Sequence, residues 1–104
     1  MSISLFYSKD QGFYLGSATA INAFMNEICK YGRYPSLVKR DFNSGWIHYE
    51  YQPVDLENTN LTQTLAEIED LLTKPLTSSS MEMLMILHRA CLYAKEKKVD
   101  LEFA

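Results

Sequence analysis

The sequence predicts a single α+β domain, because period-two apolar alternation marks both ends of the chain while helical spacing fills most of the interior. Ile3, Leu5 and Tyr7 alternate with Ser4, Phe6 and Ser8, and Val99, Leu101 and Phe103 alternate with Asp100 and Glu102. Between them three stretches place apolar residues three and four apart, and an Asn43-Ser44-Gly45 turn separates two extended runs. The order β-α-β-β-α-α-β follows, with a small antiparallel or mixed sheet and the helices packed on one face.

Each element has its own local reason. Ile3 to Tyr7 reads as the first strand, and Lys9 to Gly16, with Asp10 and two glycines, reads as a loop. A helix from about Ala18 to Tyr31 is capped by Ser17 or Thr19, carries Ile21, Phe24, Met25 and Ile28 on one face, and stops at Gly32. Pro35 opens an extended stretch, Ser36 to Phe42, which the Asn43-Ser44-Gly45 turn joins to Trp46–Tyr51 as a β-hairpin. In its second strand Ile47, Tyr49 and Tyr51 share one face, and Trp46, His48 and Glu50 share the other. Asn60 or Thr59 caps a second helix, Leu61 to Thr73, with Leu61, Leu65, Ile68 and Leu72 aligned. Ser79 and Glu82 have capping-box spacing for a third helix, buried on more than one side, that runs to about Lys98. Its lysine-rich end suits the negative pole of the helix dipole.

Size and composition restrict the function classes. At 104 residues, 47% apolar and 22% charged, the chain can bury a core without disulfide or metal staples. No apolar run is long enough for a membrane helix. Met1-Ser2-Ile3 leads straight into structure without a basic region or cleavage site, so a cytoplasmic location is expected. Cys29 and Cys91 are far apart and match no zinc-ligand spacing, so both are expected to be buried thiols.

Catalytic signatures are missing. There is no G-x-S-x-G, no phosphate-binding glycine loop and no H-E-x-x-H. A non-enzymatic protein without metal or cofactor is therefore expected. His48 beside Glu50 is the one pair suited to acid–base work, and it defines an alternative reading as a ligand-binding or enzyme fold. His88 reads as a core-edge side chain.

Charge placement carries more information than the net value of −3. From Asp41 to Thr73 there is no Lys or Arg, while Asp41, Glu50, Asp55, Glu57, Glu67, Glu69 and Asp70 are all acidic. Such a window repels phosphate backbones and attracts basic surfaces, so a protein partner is expected rather than a nucleic acid. The basic cluster Lys30, Arg33, Lys39 and Arg40 is too small to reverse this. Tyr31, Tyr34, Phe42, Trp46, Tyr49 and Tyr51 crowd around the same segment. A sheet with helices on one face buries only one set of them. An outward Trp46 among carboxylates has the composition of an interface anchor. The candidate partner-binding residues are thus Trp46, Glu50, Tyr51, Asp55, Glu57, Glu67, Glu69 and Asp70. A further alternative is a self-associating structural or regulatory subunit, a homodimer joined by sheet edges.

With Trp46–Tyr51, the acidic window and the ending Ala90-Cys91-Leu92-Tyr93-Ala94…Leu101-Glu102-Phe103, the chain resembles small bacterial immunity proteins of polymorphic-toxin and contact-dependent inhibition systems. The resemblance lies in size and layout. It implies a compact, acidic cytoplasmic domain that neutralises a cognate toxin, often a basic nuclease, and it transfers no residue roles.

Overall fold

A computed structural model describes all residues, 1–104. β1 (Ser2–Phe6) buries Ile3 and Leu5 and turns Ser4 and Phe6 to the other side, as the alternation requires. The expected loop after it holds a strand instead, β2 (Gly12–Ser17), antiparallel to β1. The reversal is tight, with Tyr7 N and Ser8 N both donating to the Gln11 carbonyl at 3.0 and 3.3 Å. Gly12 reads as a breaker in sequence, but its role is close approach: a Cβ there would lie 2.3 Å from the Leu5 carbonyl oxygen. The β1–β2 register shifts beside Ile3 and Ser4, leaving Leu15 as an extra residue.

α1 (Ala18–Ile28) starts on Ser17, whose Oγ accepts the Ala20 N–H at 3.1 Å. It buries Ile21, Phe24 and Ile28. The expected strand Ser36–Phe42 does not form. Leu37 N and Val38 N both donate to the Tyr34 carbonyl, coiling the segment, and Ser36 N is taken by the Glu67 carboxylate instead of a neighbouring strand. Leu37 and Phe42 then enter the core. The hairpin through Asn43-Ser44-Gly45 is lost with its first strand.

β3 (Trp46–His48) is consequently short and finds other partners: β4 (Thr59–Asn60), parallel, and β5 (Leu101–Phe103), antiparallel. The five strands form one mixed sheet in the order β2-β1-β5-β3-β4. α2 (Leu61–Leu71) begins at Asn60, whose side chain accepts the Gln63 N–H at 3.0 Å. α3 (Ser78–Lys97) is capped by Thr77, two residues before the expected Ser79. The carboxylate at this end comes from α1, not from Glu82. Glu27 accepts from Thr77 N, Thr77 Oγ1 and Ser80 Oγ at 2.8, 2.7 and 2.5 Å. A negative group held there also complements the positive end of the α3 dipole.

The expected order β-α-β-β-α-α-β is kept, with β2 added after the first strand and β4 making up for the lost Ser36–Phe42 strand. Ile3, Leu5, Ile47, Leu101 and Phe103 face the helices and share one cluster with Phe24, Ile68, Leu84 and Leu87. All three helices therefore lie on one side of the sheet, and its opposite face is left open. No helix is long and apolar enough to cross a membrane. Cys91 is buried, which pushes its thiol up to about 12, whereas Cys29, expected inside, is exposed at the end of α1.

Candidate protein-binding surface

Sheet register determines what the open face presents. Directly opposed residues of an antiparallel pair point to the same side with Cβ atoms about 5 Å apart. Phe6 is opposite Gly12 on β2 and Glu102 on β5, and Glu102 is opposite Trp46 on β3. One row across the sheet therefore reads Gly12, Phe6, Glu102, Trp46, a carboxylate between two aromatic rings. Tyr14, opposite Ser4, stands one row away and is 59% exposed. Trp46 is 39% exposed, and Phe6 is partly exposed.

The next row fixes the geometry. The Trp46 indole stacks on the His48 imidazole, with ring centroids 6.1 Å apart and planes 18° from parallel. His48 Nδ1 lies 3.3 Å from Asp100 Oδ2, and the other Asp100 oxygen accepts the Tyr49 N–H at 2.6 Å. Trp46 N donates to Asn58 Oδ1 at 3.2 Å, so the loop before β4 is tied to the start of β3. In that loop Asp55 Oδ1 accepts the backbone N–H groups of Glu57 and Asn58, which lower the Asp55 pKa. Asp55 and Glu57 in that loop are exposed, and Asp55 also lines a cleft with Arg33 and Arg40.

The acidic window of the sequence is thus divided among separate places. Trp46, Asp55 and Glu57 gather near β3. Glu50 and Tyr51 follow it, and both are exposed; Tyr51, expected to share the inward face of Ile47, is 77% exposed because the strand ends at His48. Glu69 and Asp70 lie on α2, in the helical layer, and Asp70 accepts the Tyr34 hydroxyl at 2.6 Å, a bond that pushes Tyr34 up to about 12. Glu67 corrects the expectation of a solvated helix face. It is 6% exposed, its carboxylate accepts Ser36 N at 3.0 and 3.1 Å and Gln63 Nε2 at 2.7 Å, and burial raises its pKa. It braces the 34–42 segment and is unavailable to a partner.

His48 and Glu50 do line one cleft, of ≈ 340 Å³, with Lys98 and Asp100. No group of three or more His, Cys, Asp or Glu side chains is placed to hold a metal ion. Sequence reasoning missed Phe6, Tyr14, Asp100 and Glu102. The signal for Phe6 was present, an aromatic ring at the outward position of an alternating strand. Nothing local reveals that β5 sets Glu102 between Phe6 and Trp46, because that depends on long-range register.

Fold and surface together define an α+β domain whose mixed five-stranded sheet is covered on one side and carries aromatic and acidic side chains on the other. Comparison with protein-family models, curated proteins and solved structures gives no match.

Proposed function

We propose that the chain is a non-enzymatic protein-binding module that receives a basic partner on the open face of its sheet, and that it serves as an immunity protein neutralising a cognate toxin domain. The observation that carries this reading is the row Phe6–Glu102–Trp46. A lysine or arginine entering beside the two rings makes a cation–π contact of about 0.5–2 kcal/mol and donates a charge-assisted hydrogen bond to the Glu102 carboxylate between them. Asp100, beside His48 and two residues from Glu102, adds further negative charge, which accelerates encounter with a basic surface. Trp46 and Tyr14 supply apolar contact area that slows dissociation. The size and acidity of the domain favour the immunity role over a general adaptor.

Co-expression with a candidate toxin domain, sought first among the neighbouring genes, tests this reading through cell growth. Protection should be lost with Glu102→Lys and reduced with Trp46→Ala, and kept with Glu69→Lys on α2. Full protection by Glu102→Lys would exclude the open face as the contact.

A second reading is self-association through β2, favoured by its position as an edge strand of six residues. Sedimentation at micromolar concentration decides it, since a monomer would remove its support.

A further inference from the structure

A second site lies away from the open face. The C-terminal end of α1, the coiled segment after it and the loop before β4 enclose a cleft of ≈ 680 Å³, within the range of small-molecule sites. Its apolar lining is Pro35, Val38, Val54 and Leu56. Leu56 is 65% exposed, which leaves its side chain open to contact.

The same cleft is also cationic. Arg33, Lys39 and Arg40 line it against one carboxylate, Asp55. Neither guanidinium has a carboxylate partner; the chain's one close acid–base contact joins His48 to Asp100. Asp55 is already engaged by the Glu57 and Asn58 N–H groups. Lys39 is held inward, with Nζ 3.0 Å from the Ser44 carbonyl oxygen and 3.8 Å from the Phe103 ring centroid, so it contributes field rather than a free donor. The carbonyl end of α1 opposes the cations with about half a charge. Three of its carbonyls, of Met25, Glu27 and Ile28, are themselves capped by the N–H groups of Cys29, Lys30 and Tyr31. The balance stays positive.

We infer that this cleft binds a small amphipathic anion, a carboxylate or phosphate headgroup on a short apolar body. The planar guanidinium forks of Arg33 and Arg40 suit such a headgroup, and the Pro35–Val38–Val54–Leu56 wall suits the body. The site shares no residue with the Phe6–Glu102–Trp46 row, so the two readings stand or fall separately.

Cys29 provides a native reporter, because it is exposed on the cleft wall while Cys91 is buried. The experiment follows alkylation of Cys29 by iodoacetamide, alongside calorimetric titration, with octanoate, octyl phosphate, 1-octanol and octylammonium as probes. At about four times its Kd a bound anion should slow alkylation about five-fold. Protection by octanoate alone assigns a carboxylate site, by octyl phosphate alone a phosphate site, and by both a site that reads charge. In the Arg33→Gln/Arg40→Gln double variant affinity should fall about ten-fold or more. Trp46→Ala, altered only on the open face, should bind as the wild type does. The inference is overturned if neither anion gives saturable heat and protection, if octanol or octylammonium binds as tightly as the anions, or if the double variant keeps wild-type affinity.

Discussion

Replacing Lys39 by methionine should stabilise the domain at neutral pH, and the gain should vanish as the pH rises. Lys39 is 7% exposed, and burial pushes its pKa down from 10.5 to about 8 against the opposing field of Asp41, Asp55 and Glu57. A lowered lysine pKa means that the unfolded chain binds the proton more tightly than the fold does. The penalty is therefore fully present below pH 8 and is relieved between about 8 and 10.5. At about 1.36 kcal/mol per pH unit the whole shift corresponds to about 3.4 kcal/mol. Residual solvent contact at the ammonium screens roughly half of this, leaving about 1.7 kcal/mol. Methionine keeps the apolar stem and replaces the ammonium–Phe103 contact with a sulfur–ring contact of similar size, but gives up the bond to the Ser44 carbonyl, at about 0.5–1 kcal/mol. The net gain is about 1 kcal/mol at pH 7, equivalent to about 4–8 °C in Tm for a domain of this size. Urea denaturation of both proteins at several pH values between 7 and 10.5 measures it, and other titrating groups cancel in the difference. The stability difference should shrink with pH and reverse near 10.5. A variant that is less stable than wild type at pH 7 by a pH-independent amount would refute the reasoning.

Three other substitutions probe the framework. Glu67→Ala strips the buried Ser36 N–H and the Gln63 amide of their acceptor and should cost about 2–4 kcal/mol in chemical denaturation. Glu67→Gln keeps an acceptor without the charge; since burial raises the Glu67 pKa, wild type should gain on this variant as pH falls toward 4.5. Glu27 has a lowered pKa, because bonds from Ser80 and Thr77 outweigh the upward push of burial. Its contribution is present above the ordinary value of 4.5 and is lost as pH falls through the lower folded value, so thermal melts of wild type should drop more steeply below pH 4.5 than those of Glu27→Gln. Gly45 has φ +98°, and a Cβ on it would meet the Glu57 carbonyl oxygen at 1.7 Å. Gly45→Ala should cost more than about 2 kcal/mol in urea unfolding; a loss below 0.5 kcal/mol would show that the loop yields freely.

The sequence revealed those parts of the fold whose signals are local. Ser17 and Asn60, each one of two candidates, cap their helices, and Ile3, Leu5, Leu101 and Phe103 face the core as their alternation requires. The failures share one cause, competition from distant partners. Ser36–Phe42 has strand-like composition, but the Glu67 carboxylate, 31 residues away, takes the Ser36 N–H and the chain coils. β2 was hidden because Gly12 and Gly16 look like loop residues until β1 is laid against them. Trp46 was correctly placed on the outward side. Its neighbours there, Glu102 and Phe6, come from opposite ends of the chain, and only the paired sheet brings them together. An acidic run in sequence became three separate surfaces and one buried brace for the same reason.

The open face and the cationic cleft give the domain two surfaces of opposite character. The first carries Glu102 and Asp100 among rings, and the second carries two unpaired guanidinium groups above an apolar wall. The Phe6–Glu102–Trp46 row and the cleft share no residue, so variants at the two can be combined and their effects should add.

Trp46 is the chain's only tryptophan, so its emission reports directly on the open face. In a titration with the basic toxin partner, that emission should shift saturably, the apparent Kd should weaken at least about ten-fold with Glu102→Gln, and Glu69→Gln should leave it unchanged. Tight binding with unaltered Trp46 emission, or a larger loss from Glu69→Gln than from Glu102→Gln, would place recognition on the helical side and contradict the role assigned to the sheet.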